Sequence, residues 1–142
     1  MKTSRIVLAA AAAVGLGSVV WAQGALQPVE VKYAAAPFKG VEAAVLSGPL
    51  DKQVLYTQRV RLAKDGLVPP HTHPDQRYTT VLSGTLYICT GDTFSPDAVK
   101  PYPAGSFLIT PANVVHCSWA KDGDVVYQES GIGPTGTTMV KK

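Results

Sequence analysis

The sequence predicts an all-β domain, a sandwich or barrel of short strands. Beyond residue 40, segments rich in Val, Leu, Tyr and Thr alternate with turns containing Gly, Pro, Asn and Asp at intervals of roughly 8–12 residues. No segment after the N-terminal apolar run has a helical period, and only Ser95-Pro96-Asp97 leaves room for a single turn. No internal repeat or low-complexity tract interrupts the pattern.

The first 22 residues stand apart from that domain. Lys2 and Arg5 place two positive charges ahead of an Ala-, Val- and Leu-rich run over 6–20, and Val20-Trp21-Ala22 supplies a small-residue cleavage pattern. Charge, apolar stretch and small residues in that order predict a secretory signal, a mature start at Gln23 and a periplasmic or secreted product. A retained membrane anchor fits less well, because the run is diluted by Ala and Gly and falls short of the ~20 strongly apolar residues of a span. Cleavage leaves 120 residues, enough for one domain with one core. These divide into an irregular-looking N-terminal arm over 23–40 and the β-domain over 41–142. The formal charge of +3 falls to +1, since loss of Lys2 and Arg5 leaves eleven basic residues against ten acidic ones. No basic cluster remains to grip nucleic acid or an anionic membrane, so a small-molecule ligand is the expected partner.

Turn residues place the strands in order. The segment 41–47 stops at Gly48-Pro49 and 53–63 stops at Lys64-Asp65-Gly66. Pro69-Pro70 then leads into a strand carrying His71 and His73, 78–83 stops at Gly84, and 85–90 stops at Gly91-Asp92. Further on, 106–110 stops at Pro111-Ala112-Asn113, 114–119 at Lys121-Asp122-Gly123-Asp124, and 125–130 follows. Cys89 and Cys117 either form a disulfide in an oxidising compartment or pack as two small buried hydrophobes. The layout puts them on different sheets, which predicts the unbridged pair.

The three histidines carry the chemistry. His71 and His73 are two residues apart, so an extended strand turns both side chains to one face. His116 follows Pro111-Ala112-Asn113 in a distant strand, and inside a barrel a third imidazole can meet the first two. Neutral imidazole ligates Fe, Zn, Cu or Ni. A His-x-His pair also arises by chance in surface strands, so the residues around it decide.

That surrounding frame resembles the cupins. Their first motif is glycine, five residues, His-x-His, three or four residues, glutamate, six residues, glycine. Their second is glycine, five residues, Pro-x-Gly, two residues, histidine, three residues, asparagine. Here Gly66-Leu67-Val68-Pro69-Pro70-His71-Thr72-His73-Pro74-Asp75-Gln76-Arg77 is followed by six residues and Gly84. The second stretch is Gly105, five residues, Pro111-Ala112-Asn113, two residues and His116. The turn Val81-Leu82-Ser83-Gly84-Thr85 and the ending Gly131-Ile132-Gly133-Pro134-Thr135-Gly136 look like those of exported bacterial cupins grouped with quercetin-dioxygenase-like proteins. The resemblance implies a single double-stranded β-helix, or jelly-roll barrel, of about eight strands with an N-terminal arm. It also implies one divalent transition metal on His71, His73 and His116, with Fe(II) favoured and Mn, Zn, Cu or Ni also suited, and, as in many relatives, a homodimer.

Four departures from the motifs matter. The lead-in from Gly66 to His71 is one residue short, and Asn113 replaces a glycine, which Asn tolerates because it accepts a left-handed backbone. Ala120 stands where an asparagine would hydrogen-bond. Arg77 occupies the position of a metal-ligating glutamate, and a guanidinium cannot ligate a cation. Three arrangements stay open: three histidines with water in the remaining positions, which is favoured, Gln76 turned inward at a bulge as a fourth ligand, or no metal at all. Arg77 either clamps a carboxylate or phenolate substrate or pairs with Asp75 or Glu129. A mostly structural Arg77 is expected, with Arg77→Glu raising metal affinity modestly.

Strand parity extends the pocket. Val114 and Ser118 share a face with His116, Thr79 and Val81 face inward if parity survives Pro74, and Tyr56, Phe107 and Tyr127 are aromatic candidates for the remaining wall. A small, largely apolar cavity around a metal suits an aromatic or enol-like substrate. The resemblance implies an oxygenase acting on a small phenolic, flavonoid or diketone compound. The alternatives are a non-catalytic protein that binds metal or a small ligand, and a redox-neutral isomerase or lyase. With unperturbed imidazoles, metal would be lost below about pH 6. Gly131-x-Gly133-x-x-Gly136 matches a dinucleotide-binding pattern by letters only, since Pro134 lies within it and no helix follows.

Overall fold

The computed structural model describes residues 26–141, so the expected signal and its cleavage site lie outside the described residues. Eleven strands, numbered in chain order, are found there: β1 (Ala34–Ala35), β2 (Val41–Ser47), β3 (Leu55–Leu62), β4 (Leu67–Thr72), β5 (Arg77–Ser83), β6 (Thr85–Thr90), β7 (Lys100–Pro103), β8 (Phe107–Thr110), β9 (His116–Trp119), β10 (Val125–Ile132) and β11 (Thr138–Met139). One antiparallel sheet has the order β1-β2-β3-β10-β5-β8 and the other β11-β4-β9-β6-β7. From β3 to β6, and again from β7 to β11, each successive strand crosses to the opposite sheet, which is the winding of a double-stranded β-helix. This is the jelly-roll that the sequence predicts, and among the described residues the only helical piece is a short 3-10 turn at Pro28–Glu30.

Alternation along the strands decides what fills the interior. β3 and β10 pair over eight residues, from Leu55↔Ile132 to Leu62↔Val125. On β10 Val125, Tyr127, Glu129 and Gly131 are buried in turn, and on β5 Arg77, Thr79 and Val81. Val41, Val60, Leu62, Val81, Leu86 and Val125 make the apolar core, and burying such a side chain contributes about 1.5–3 kcal/mol. Polar residues at inward positions forgo that gain, so Arg77 and Glu129 mark a part of the interior built for something else. Gly84 lets the chain pass from β5 to β6: its φ is +73°, and a Cβ there would lie 2.2 Å from the Asp124 carbonyl oxygen.

Three strands were not legible beforehand. β7 contains Pro101 and Pro103 and lies at a sheet edge, where a missing N–H costs no ladder bond. β1 and β11 are two residues each. The arm is more ordered than its composition suggests, with Ala34 and Ala35 paired to Ala43 and Glu42 and Val31 buried. The cysteines correct an expectation. β6 and β9 are neighbours in one sheet, Cys89 stands opposite Cys117 with Cα atoms 5.1 Å apart, and the two form a disulfide.

Candidate metal centre

Pro69 and Pro70 shape the first part of the site. Neither can donate to the ladder, and the β4–β9 register shifts between Val68↔Ser118 and His71↔His116. The bulge turns the Pro69 carbonyl back to the His71 ring, which meets it through Nδ1 at 2.6 Å. His73, just past the end of β4, sets its Nδ1 2.7 Å from the Gly136 carbonyl. Asn113 makes the left-handed turn required at its motif position (φ +63°) and donates its N–H to the His73 carbonyl at 2.8 Å. His116 opens β9, with Nδ1 3.0 Å from the Val114 carbonyl.

With each Nδ1 committed to a carbonyl, three Nε2 atoms are left to face one another. The three rings are buried and offer ligand atoms that lie within 4.8 Å of one another. His71 Nε2 and His73 Nε2 are 3.1 Å apart, a contact that two neutral rings cannot satisfy without conflict. If both rings carry the proton on Nδ1, two Nε2 lone pairs face each other. If one carries it on Nε2, that ring turns an Nδ1 lone pair on a carbonyl oxygen 2.6 or 2.7 Å away. A cation between the Nε2 atoms removes both conflicts, and an Nδ1–H held by a backbone carbonyl is how metal-bound imidazole is oriented. The three residues therefore fit a divalent transition metal with positions open to water or substrate.

Burial keeps these rings neutral. It pushes His71 and His73 down to about 4 and lowers His116, and at His73 the Arg77 charge adds to the effect. The expected metal loss below about pH 6 is revised accordingly. Protons do not compete for the His71 and His73 lone pairs until pH approaches 4, so metal content after dialysis at stepped pH should hold through about pH 5 and drop near 4. Half-loss by pH 6 would contradict the buried geometry. In the metal-free protein, stability should fall as pH decreases from about 6.5 toward 4, because the unfolded chain takes up these protons first.

A polar network lies beside the histidines. Arg77 Nη1 donates to Glu129 Oε2 at 2.9 Å, and Nη2 donates to Thr135 Oγ1 at 2.8 Å and the Gly136 carbonyl at 3.4 Å. Both oxygens of Asp75 are engaged, Oδ2 by the Tyr56 hydroxyl at 2.5 Å and Oδ1 by Thr135. Burial, and then Asp75, pushes Tyr56 up to about 12. Gln58, opposite Glu129 in the ladder, donates Nε2–H to Glu129 Oε2 at 2.8 Å. Gly131 lets the network close, since a Cβ there would lie 2.5 Å from Asp75 Oδ2. The glycine-rich ending thus supplies a close approach and the Gly136 carbonyl.

A cavity of about 130 Å³ connects the two groups of residues. His71, His73, His116, Arg77, Ser118 and Tyr127 line it, together with Gln58, Glu129, and an apolar wall that includes Ala36, Phe38, Val60 and Val68. Thr79 and Val81 are buried as parity implies but lie outside the lining, and Tyr56 is buried with its hydroxyl on Asp75. Phe107 is corrected: it pairs with outward-facing Thr80 and is 60% exposed, stacked on Tyr78. Val114 is also exposed, in the turn before β9. Gln76 is corrected as a ligand candidate. Arg77 occupies the inward position, which leaves Gln76 exposed with its amide donating to the Tyr78 hydroxyl at 2.6 Å. The sequence reading missed Gln58 and the arm's Ala36 and Phe38, and placed Glu129 only as a partner for Arg77.

The sequence matches the family model of a Cupin domain over residues 58–129. No curated protein matches it. Similar solved structures include the polyketide cyclase RemF from Streptomyces resistomycificus, at 15% identity over 84% of this chain and 87% of that one, TM-score 0.71. A cupin-2 domain from Rhodospirillum rubrum is similar at 15% identity over 84% and 81%, TM-score 0.66. The DMSP lyase DddQ from Ruegeria pomeroyi DSS-3 is similar at 13% identity over 79% of this chain and 62% of that one, TM-score 0.64. At these identities the likeness is one of fold.

Proposed function

This chain belongs to the cupin family, and from that premise we propose that it is an exported, metal-dependent enzyme of the oxygenase type acting on a small phenol or diketone. The observation that carries this reading is the convergence of three Nε2 atoms whose rings are anchored through Nδ1 to backbone carbonyls. His71, His73 and His116 would hold one divalent ion, with Fe(II) favoured and Mn, Zn, Cu or Ni compatible with the donor set. Such an ion supplies Lewis-acid polarisation of a substrate oxygen and, as Fe(II), activation of O₂.

The chain's own residues set the limits on substrate. An engineered cavity of about 150 Å³ takes up benzene, so about 130 Å³ suits one ring or a short diketone. The apolar wall at Phe38, Val60 and Val68 keeps water away from that ligand. Both Nη atoms of Arg77 are engaged within the protein, and Nη1 holds Glu129. Burial raises the Tyr127 hydroxyl, which stays protonated in the cavity wall.

A redox-neutral lyase or isomerase is the second reading. It is favoured by the buried Glu129 carboxylate in the same cavity, and polyketide cyclase and DMSP lyase are among the names of the fold relatives. Oxygen uptake by iron-loaded protein over a panel of small phenols and diketones tests the first reading. The expected result is uptake matched to substrate loss and abolished in His116→Ala. Substrate loss without oxygen uptake would transfer the assignment to the second reading, and binding without turnover would leave a non-catalytic binding protein.

Residues 1–22 are proposed as the cleaved signal, 23–40 as the arm and 41–142 as the barrel, in a periplasmic or secreted protein. The Cys89–Cys117 disulfide supports that location, because such bonds persist in oxidising compartments. A homodimer is supported by exposed Leu82, Phe107 and Ile109 on β5 and the edge strand β8.

A further inference from the structure

Two carboxylates are buried near the histidines, and their surroundings differ. Asp75 has both oxygens occupied by Tyr56 and Thr135 and lies outside the cavity lining. Glu129 lines the cavity, and both of its hydrogen bonds, from Arg77 and Gln58, go to Oε2. Among the described residues Oε1 has no hydrogen-bond partner, yet it is not one of the fully enclosed atoms left without one. One oxygen is thus pinned by two donors and the other is left without a donor on a residue that lines the cavity. Among the described residues no carboxylate oxygen joins the 4.8 Å cluster of histidine ligand atoms, although the Glu129 charge acts on the His71 and His116 rings. Glu129 therefore stands near the centre without belonging to its ligand set.

We propose that Glu129 is the proton-transferring group of this site, with Arg77 and Gln58 as its positioning residues. The proposal rests on the reading of the site as one that acts on small enolisable compounds. Oε1 removes a proton from the carbon beside a substrate carbonyl. The C–H bond breaks, its electron pair stays on the substrate as an enolate whose oxygen faces the histidine centre, and the proton resides on Oε1 until it is returned to carbon. The step is redox-neutral and needs no further reactant. Fixing Oε2 leaves Oε1 aimed without reorganisation, which is the condition for efficient general-base catalysis. The carboxylate missing from the position of Arg77 is in this way supplied by β10, from the other side of the Arg77 side chain.

Deuterium uptake into the methyl groups of butane-2,3-dione, followed by NMR in D₂O with zinc-loaded protein, tests the assignment without involving oxygen. Wild type should exchange the methyl hydrogens at least ~100-fold faster than Glu129→Gln, the usual contribution of a positioned base. Glu129→Gln should keep one zinc per chain and its affinity for the diketone. Glu129→Asp, which retains the carboxylate and the partner for Arg77, should recover part of the rate. Exchange by Glu129→Gln at the wild-type rate overturns the role of Glu129 while the site reading stands. Zinc loss in Glu129→Gln also overturns it, by making the carboxylate a metal-holding group. Wild-type exchange no faster than His116→Ala overturns the reading of the site together with the proposal.

Discussion

His116→Ala is expected to empty the metal site while leaving the barrel folded. The ring supplies one of three converging Nε2 atoms, and its Nδ1 bond to Val114 lies in a turn outside the core. Loss of an outer partner alone costs roughly 10–100-fold in metal affinity, so loss of the ligand itself should exceed about 100-fold. His71→Ala and His73→Ala should behave alike, because each ring contributes one donor on equivalent terms. Titration calorimetry and elemental analysis read the loss, and circular dichroism checks the fold. A His71→Ala/His116→Ala double variant that still holds one ion per chain would mean that the metal binds elsewhere.

Arg77 should be costly to change for stability. It is 5% exposed, and its guanidinium is the charged partner of Glu129 at 2.9 Å with Asp75 nearby. Arg77→Leu strips a buried carboxylate of its counter-ion, a change worth about 3–5 kcal/mol. Arg77→Glu should be worse still. At this position a new carboxylate joins Glu129 and Asp75, and their mutual repulsion destabilises the metal-free fold. Urea unfolding of the metal-free proteins measures both effects. A double variant, Arg77→Leu/Glu129→Gln, should recover much of the loss, since it removes both charges of the pair. A cost under about 1 kcal/mol for Arg77→Leu would contradict a buried ion pair.

What was legible in the sequence was local in origin. His71 and His73 share the interior because they are two residues apart, and Asn113 takes a left-handed turn because the position demands one. What was not legible depends on which strand lies beside which. Arg77 rather than Gln76 faces inward because the alternation begun at His71 and His73 runs on past Pro74 to Val81, a continuity that a turn need not preserve. Glu129 acquires its meaning from Gln58 opposite it and Arg77 two strand positions away, a relation set only when β10 enters between β3 and β5. Cys89 and Cys117 meet because β7 and β8 loop out and β9 returns beside β6. β7 was hidden by its prolines, which a sheet edge tolerates.

The oxygens that hold the three imidazoles belong to Pro69, Val114 and Gly136, and all are main-chain carbonyls. Codon changes at those positions replace side chains and leave the oxygens in place as long as the turns keep their shape. Arg77, Glu129 and Gln58 have no such protection, because every contact among them is made by side-chain atoms. The two halves of the pocket are therefore exposed to genetic drift on different terms. A lineage carrying this barrel can change what the pocket accepts by a few substitutions on β3, β5 and β10 and keep the three histidines in place throughout.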